Sequence, residues 1–226
     1  MVEENDNRRT LSNLLAMRLL PHRFLATQLR KPSGRFGRWV MTRALNDGNA
    51  EMIDATLEAL TLRPTERFLD VGFGGGRAIT RAATQTEGAL WGVDFAPDMI
   101  AAGTRTLAPL ITAGRLNLIH ADVTDLPLRD GIVDAICTTN TIYFWPDLPK
   151  ALAELLRLLA PYGRLAVGFT GAEKMRRFES ITSHGFRKFE PPGLESALKA
   201  AGFRRITTRA LSSKVTRGDY VTLAHA

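Results

Sequence analysis

Phe68-Leu69-Asp70-Val71-Gly72-Phe73-Gly74-Gly75-Gly76-Arg77-Ala78 is an apolar run that ends beside an acid and opens onto a glycine-rich turn. Twenty-four positions past Asp70, a second apolar run, Leu90-Trp91-Gly92-Val93, ends in Asp94. A strand that feeds a glycine turn aims the N–H groups of a helix N-terminus at a ligand, and glycine removes the Cβ that would hold the ligand off. An acid at the tip of the next strand is placed to accept both hydroxyls of a ribose. The pair therefore points to a nucleotide-like cofactor. The spacing of Gly72, Gly74 and Gly76 is G-x-G-x-G, and the position of the third glycine in the dinucleotide fingerprint is Arg77, which disfavours NAD.

Outward from this stretch, apolar β-type runs alternate with helix-period segments. Strands are expected at about 67–71, 89–94, 115–120, 133–138 and 164–169, with helices at 76–86, 97–107 and 147–159. Pro97 suits a first helical turn, and Pro161 with Gly163 stops the last of these helices. A final helix at 192–201 precedes two β-type runs, 203–211 and 220–225, which have no helix between them and should form an antiparallel hairpin at the sheet edge. The expected class is α/β: a doubly wound, mostly parallel seven-stranded sheet of Rossmann-like type, with an N-terminal helical arm. Residues 1–48 form that basic arm or lid. Residues 49–226 form the cofactor domain, with a polar, basic and aromatic insertion at 171–192 read as lid-like.

With 226 residues, 45% hydrophobic and 23% charged, the chain can bury a full core in one decorated domain. Its single cysteine, Cys137, lies in the run Ile132 to Cys137 and reads as a buried strand residue, which suits a reducing compartment. No apolar run approaches a membrane span, and the start Met-Val-Glu-Glu-Asn-Asp lacks the order of a secretory signal, so a soluble, cytoplasmic protein is expected. Formal net charge is +7, and between Arg8 and Arg43 nine Lys or Arg occur with no Asp or Glu. Such a block can attract nucleic acid, an anionic membrane surface or an acidic substrate; it can equally be the solvent face of a docking helix.

Five motifs in order make the chain resemble class I S-adenosylmethionine-dependent methyltransferases over roughly residues 45–226. They are Asp70 to Gly76, Gly92 to Met99, His120 to Leu128, Thr139 to Asp147 and Leu155 to Leu165. The terminal hairpin fits the same family, whose sheet ends in a reversed strand. The resemblance implies S-adenosyl-L-methionine as cofactor. It implies that Asp94 holds the ribose hydroxyls, that Phe95 and Met99 flank the adenine, and that Asp122, helped by the backbone of Val123, accepts from the adenine amino group. Asp70 then faces the cofactor ammonium, the backbone from Gly72 to Gly74 lies against the methionine arm, and Asn140 and Thr141 begin a loop near the amine and methyl end. Each acid has a plainer alternative as a helix cap or loop residue.

Methyl transfer from a sulfonium needs alignment and exclusion of water, and a base only where the accepting atom carries a proton. Tyr143 and His184 are the candidate bases. Phe36, Trp39, Phe144 and Phe186 are candidate substrate walls, and no metal is expected. The loop after the fourth strand, Asn140-Thr141-Ile142-Tyr143, lacks the double proline of enzymes that methylate nucleobase amines. The paired glutamates of protein arginine methyltransferases are absent between Val123 and Asp147, and one cysteine is too few for arsenite chemistry. What remains resembles bacterial small-molecule methyltransferases acting on ubiquinone-type precursors and secondary metabolites, with O, N, C or S left open as the acceptor atom. The expected partner is a small molecule with no specific nucleic acid, and the oligomeric state is monomer or homodimer. Two rival readings are a nucleic-acid or membrane-surface binding protein on the retained fold, using its basic arm, and an NAD-dependent oxidoreductase.

Overall fold

A computed structural model describes residues 21–34 and 48–226. Among the described residues, seven strands form one sheet in the order β3-β2-β1-β4-β5-β7-β6. The strands are β1 (Phe68–Val71), β2 (Leu90–Asp94), β3 (Leu116–His120), β4 (Val133–Thr139), β5 (Leu159–Thr170), β6 (Arg204–Ala210) and β7 (Asp219–His225). Helices α1 (His22–Arg30) and α2 (Ala50–Leu60) precede β1, and α3 (Arg77–Ala82), α4 (Pro97–Thr106) and α5 (Ala108–Thr112) lie between β1 and β3. The helices α6 (Leu148–Leu158), α7 (Ala172–Arg176), α8 (Glu179–Thr182) and α9 (Pro191–Ala200) follow β4. The first five strands pair in parallel, while β7 runs antiparallel to both neighbours and lies between β5 and β6. The expected hairpin is therefore present, with its second strand inserted inside the sheet.

Alternation along the central strands builds two apolar layers. Leu69, Val71 and Ile136 face one side, where Leu148, Leu152 and Leu155 of α6 and Leu194 and Leu198 of α9 pack. Phe68, Ala135 and Cys137 face the other, where Leu57 and Leu60 of α2 and Ala78 and Ile79 of α3 pack. A period of two residues in a strand requires this division once both faces are covered. Cys137 is buried, as its strand position predicts. The outer strand β6 keeps Arg204, Arg205 and Arg209 exposed, and charge on an edge discourages pairing with another chain.

Three boundaries differ from the sequence reading. Strand β5 begins at Leu159 because that residue pairs with Val133, after which Ala160 to Gly163 bulge outward and pairing resumes at Ala135 and Arg164. Tyr162 at the crest has φ 68°. The helix after β1 is short, ending at Ala82 before a run of turns. The segment 171–192 holds two short helices where the sequence shows no period, because their buried faces are only Ala172, Met175 and Thr182, too few residues to register as a repeat.

Candidate functional site

The strand order reverses direction between β1 and β4, and in open α/β sheets ligands bind beyond the carboxyl ends of the strands at such a point. A cavity of about 240 Å³ lies there, lined by the turns after β1, β2, β3 and β4 and, across the mouth, by α1 and the start of α2. Asp70, Gly72, Gly74, Asp94, Phe95, Met99, Asp122, Val123, Asn140, Thr141 and Phe144 all line it. All ten positions expected to bind the cofactor are thus brought together, with one of the four substrate positions. Phe36 and Trp39 lie outside the described residues.

The glycine turn is shaped by its neighbours. Gly72, Gly74 and Gly76 have φ of 73°, 50° and 80°, a region costly for residues with a Cβ. A Cβ on Gly72 would meet Thr141 Cγ2 at 2.3 Å, so the turns after β1 and β4 touch there. On Gly74 a Cβ would meet nothing closer than the Gly72 carbonyl at 3.9 Å, so this backbone faces open space on the cavity side. Thr138 stitches the two turns by donating to the Val71 carbonyl at 2.9 Å and sharing a hydrogen bond with the Thr141 hydroxyl. Arg77, at the first position of α3, spans to Asp54 on α2 at 2.6 Å and ties α3 to the arm side of the domain.

Asp70 and Asp94 end adjacent strands and are buried, yet neither forms an ion pair among the described residues. Burial, and then the charge of Asp94, pushes the Asp70 carboxyl up to about 8. Burial pushes Asp94 up to about 6, opposed by the N–H groups of Ala96, Gly74 and Phe95 and by His120. Asp94 Oδ1 accepts from Ala96 N at 2.9 Å. Two carboxyls held out of water without a cation are a receptor for one, and for hydroxyl donors. Asp122 is exposed, and its Oδ1 accepts from the backbone and hydroxyl of Thr124 at 2.9 and 2.7 Å, a turn that fixes the carboxylate at the cavity wall.

These shifts have a definite sign. Both carboxyls bind a proton more tightly in the folded chain than in the unfolded one, so the free protein loses stability as pH rises from about 4 through about 8. A ligand bringing an ammonium and hydroxyl donors favours the ionised acids. Its affinity should therefore rise across pH 6 to 8, and the thermal shift that it produces should be larger at pH 8 than at pH 6. Titration calorimetry and thermal denaturation across that range check this; a flat profile would mean that the acids do not meet the ligand.

The two expected bases do not line the cavity. His184 is exposed and off the cavity wall; the insertion that carries it packs against the loop after β4 through Phe186 and against α1 through α8. Tyr143 is buried, its hydroxyl is pushed well above the usual phenol range by burial, and it too is off the wall. It accepts from Thr170 N and donates to Asn140 Oδ1 at 2.7 Å. Phe186 meets the Phe144 ring edge-on at 4.6 Å from the far side, so it buttresses the wall. Arg187 adds a bond to the Pro146 carbonyl at 2.7 Å. Tyr143 is thus a positioning residue. Tyr143→Phe should cost about 1–3 kcal/mol of stability, because Asn140 Oδ1 and Thr170 N lose their partner, and should leave the shape of the pH–rate profile unchanged, which a lost base would not.

Sequence reasoning missed Asn49 and, on the arm, Leu29, Arg30 and Pro32, all of which line the cavity. In the sequence Asn49 stands only as the first residue of the cofactor domain. The described segment 21–34 is tied to the turn and helix after β2 by Gly34 N donating to Asp98 Oδ2 at 2.8 Å and by Lys31 over the Phe95 ring at 5.9 Å. Among the described residues no group of three His, Cys, Asp or Glu could hold a metal ion, and no helix is long and apolar enough to cross a membrane.

Residues 69–167 match the model of a methyltransferase domain. An O-methyltransferase of Pyrenophora dematioidea is 32% identical over 158 residues, covering 66% of this chain and 59% of that protein. The ubiquinone/menaquinone biosynthesis C-methyltransferase UbiE of Geotalea daltonii is 32% identical over 130 residues, 57% of this chain and 55% of that protein. A chain from the solved complex between the Haloferax volcanii Trm112 methyltransferase activator and a methyltransferase superimposes with a TM-score of 0.72 at 18% identity, over 82% of this chain and 93% of that one. Residues 69–167 of this chain are thus similar to methyltransferase domains, and the fold is that of solved methyltransferases. The chain spans little more than half the length of these curated relatives, which by name act on small molecules in the second case and carry an unspecified O-acceptor in the first.

Proposed function

We propose that the protein transfers a methyl group from S-adenosylmethionine to a small-molecule acceptor. The observation that carries this reading is the pair of buried, cation-free carboxyls on adjacent strand tips beside a glycine turn whose open side faces the cavity. The residues fit that cofactor: Asp94 for the ribose hydroxyls, Asp122 for the adenine amine, Phe95 and Met99 against the adenine, Asp70 for the ammonium, and the Gly72 to Gly74 backbone along the methionine arm. When bound, the cofactor supplies a methyl on a sulfonium that is electrophilic without further activation. What the chain contributes is orientation and dryness: Phe144 and Trp145 wall the acceptor side, and α1 covers the mouth.

Calorimetric titration with S-adenosylhomocysteine and, separately, NAD tests the cofactor; binding of NAD alone would refute it. Incubation with labelled cofactor and a metabolite extract, read by mass spectrometry, tests the transfer. We also propose that the arm is a lid. Deleting residues 1 to 40 should then weaken both cofactor binding and turnover. A second reading, peripheral contact of the basic arm with an anionic membrane, is favoured by the nine basic residues between Arg8 and Arg43. Vesicle binding with a steep salt dependence would support it. We keep a monomer or homodimer and a cytoplasmic setting as parts of the same proposal.

A further inference from the structure

A chain of hydrogen bonds runs beneath the cavity. Thr170 N donates to the Tyr143 hydroxyl, whose own proton has two acceptors, Asn140 Oδ1 at 2.7 Å and, farther off, the Thr170 carbonyl at 3.4 Å; the shorter bond is to Asn140. The Asn140 amide is thereby oriented, and its Nδ2 donates to Asn49 Oδ1 at 2.9 Å. Asn140 is held at φ 57°, in the left-handed region that asparagine tolerates better than most residues. Asn49 is in the position that caps α2, where an asparagine oxygen ordinarily accepts from the helix backbone, yet it makes no capping bond. Its oxygen is committed to Asn140, so what it retains is an N–H2 group on a residue that lines the cavity.

The same cavity is lined by Arg30, the exposed last residue of α1. It is the one cation among the described lining residues, and it makes no hydrogen bond or ion pair among the described residues. The lining also holds apolar residues: Leu29, Pro32 and Ile53, with Phe144 and Trp145. The three acids of the cavity suit the cofactor's ammonium, hydroxyls and amine, whereas a donor amide and a guanidinium suit the opposite charge.

We propose that Arg30 and Asn49 form the acceptor subsite, and that it takes a flat apolar molecule bearing an ionised oxygen, a phenolate or enolate. This rests on the methyltransferase reading and adds the substrate class to it. The choice asks nothing of Tyr143, whose hydroxyl is committed, or of His184, which is off the wall, because an oxygen that arrives ionised has no proton to lose. Methyl capture there forms the O–C bond with the oxygen's own electron pair, while the pair of the broken C–S bond stays on sulfur.

The test compares two molecules of one shape, 2-hydroxy-1,4-naphthoquinone, which is anionic at neutral pH, and neutral 2-amino-1,4-naphthoquinone. Each is titrated into the full chain saturated with S-adenosylhomocysteine. The hydroxy compound should bind at least tenfold more tightly. Arg30→Gln should abolish that preference. Asn49→Asp keeps an oxygen for Asn140 but replaces the donor with a charge, and should reverse it; Arg30→Gln should bind S-adenosylhomocysteine as the parent does. Equal binding of the two compounds, no binding of either, or a preference surviving in Arg30→Gln would overturn the proposal. So would weakened S-adenosylhomocysteine binding in Arg30→Gln, since Arg30 would then read the cofactor carboxylate. Failure of the parent chain to bind S-adenosylhomocysteine would instead refute the methyltransferase reading beneath it.

Discussion

Asp94→Ala is expected to lower affinity for S-adenosylhomocysteine by about 100-fold or more, because two hydrogen bonds to an ionised carboxylate are each worth ~1.5–3 kcal/mol. The fold should persist. In the free protein Asp94 accepts from Ala96 N and is favoured by the N–H groups of Gly74 and Phe95, and set against these is the cost of a carboxyl held out of water. Its removal also lifts the charge that helps to raise Asp70, so the rise of affinity with pH should move to lower pH in the variant. Calorimetry across pH 6 to 8, with thermal denaturation of the free protein, reads all three outcomes. An unchanged affinity in a folded variant would remove Asp94 from the site.

The largest loss of stability should come from the opposite end of the sheet. Arg164, at the resumption of β5, pairs with Glu66 through two bonds, Nη1 to Oε1 at 2.8 Å and Nη2 to Oε2 at 2.7 Å. Both residues are buried, and the same guanidinium donates to the carbonyls of Leu60 and Thr61, which end α2. Removing one partner of a buried pair leaves the other charge uncompensated at a cost of about 3–5 kcal/mol, so Glu66→Ala should unfold at markedly lower denaturant. Burial raises the Glu66 pKa, but the bonds and charge of Arg164, together with the Arg63 backbone, outweigh it and hold the carboxyl below its usual value of 4.5. Its contribution is therefore complete above pH 4.5 and disappears as pH falls through the lower folded value. Urea titrations of parent and variant at pH 7 and near pH 3 should converge at the acid end, while cofactor affinity at pH 7 stays close to that of the parent.

The parts of the site that lie next to each other in the chain could be read from the residues. Asp70 with the glycine turn, and Asp94 with Phe95 and Met99, are each a strand tip and the turn that follows, so spacing alone placed them. Asp122 was readable for the same reason, two residues past β3. The misassigned residues are those whose role depends on what lies across the fold. Tyr143 follows Asn140 by three positions, and a sequence shows a phenol beside the site; only packing shows that the ring turns away beneath the loop against Phe186 and Phe189. His184 belongs to an insertion whose composition resembles a lid, and Phe186 of that insertion supports Phe144.

By itself the sequence determined the alternation of strand and helix, the covered two-faced sheet, the terminal hairpin and the acids at the strand tips, because these follow from short-range periodicity and from what glycine, proline and aspartate permit locally. Only the tertiary structure decided that β7 enters between β5 and β6, that Asn49 gives up its helix cap to hold Asn140, that Arg30 lines the cavity, and that Arg164 meets Glu66. Each of these joins residues dozens of positions apart, and such a meeting is fixed by which apolar faces bury together, a quantity that no local stretch of sequence contains.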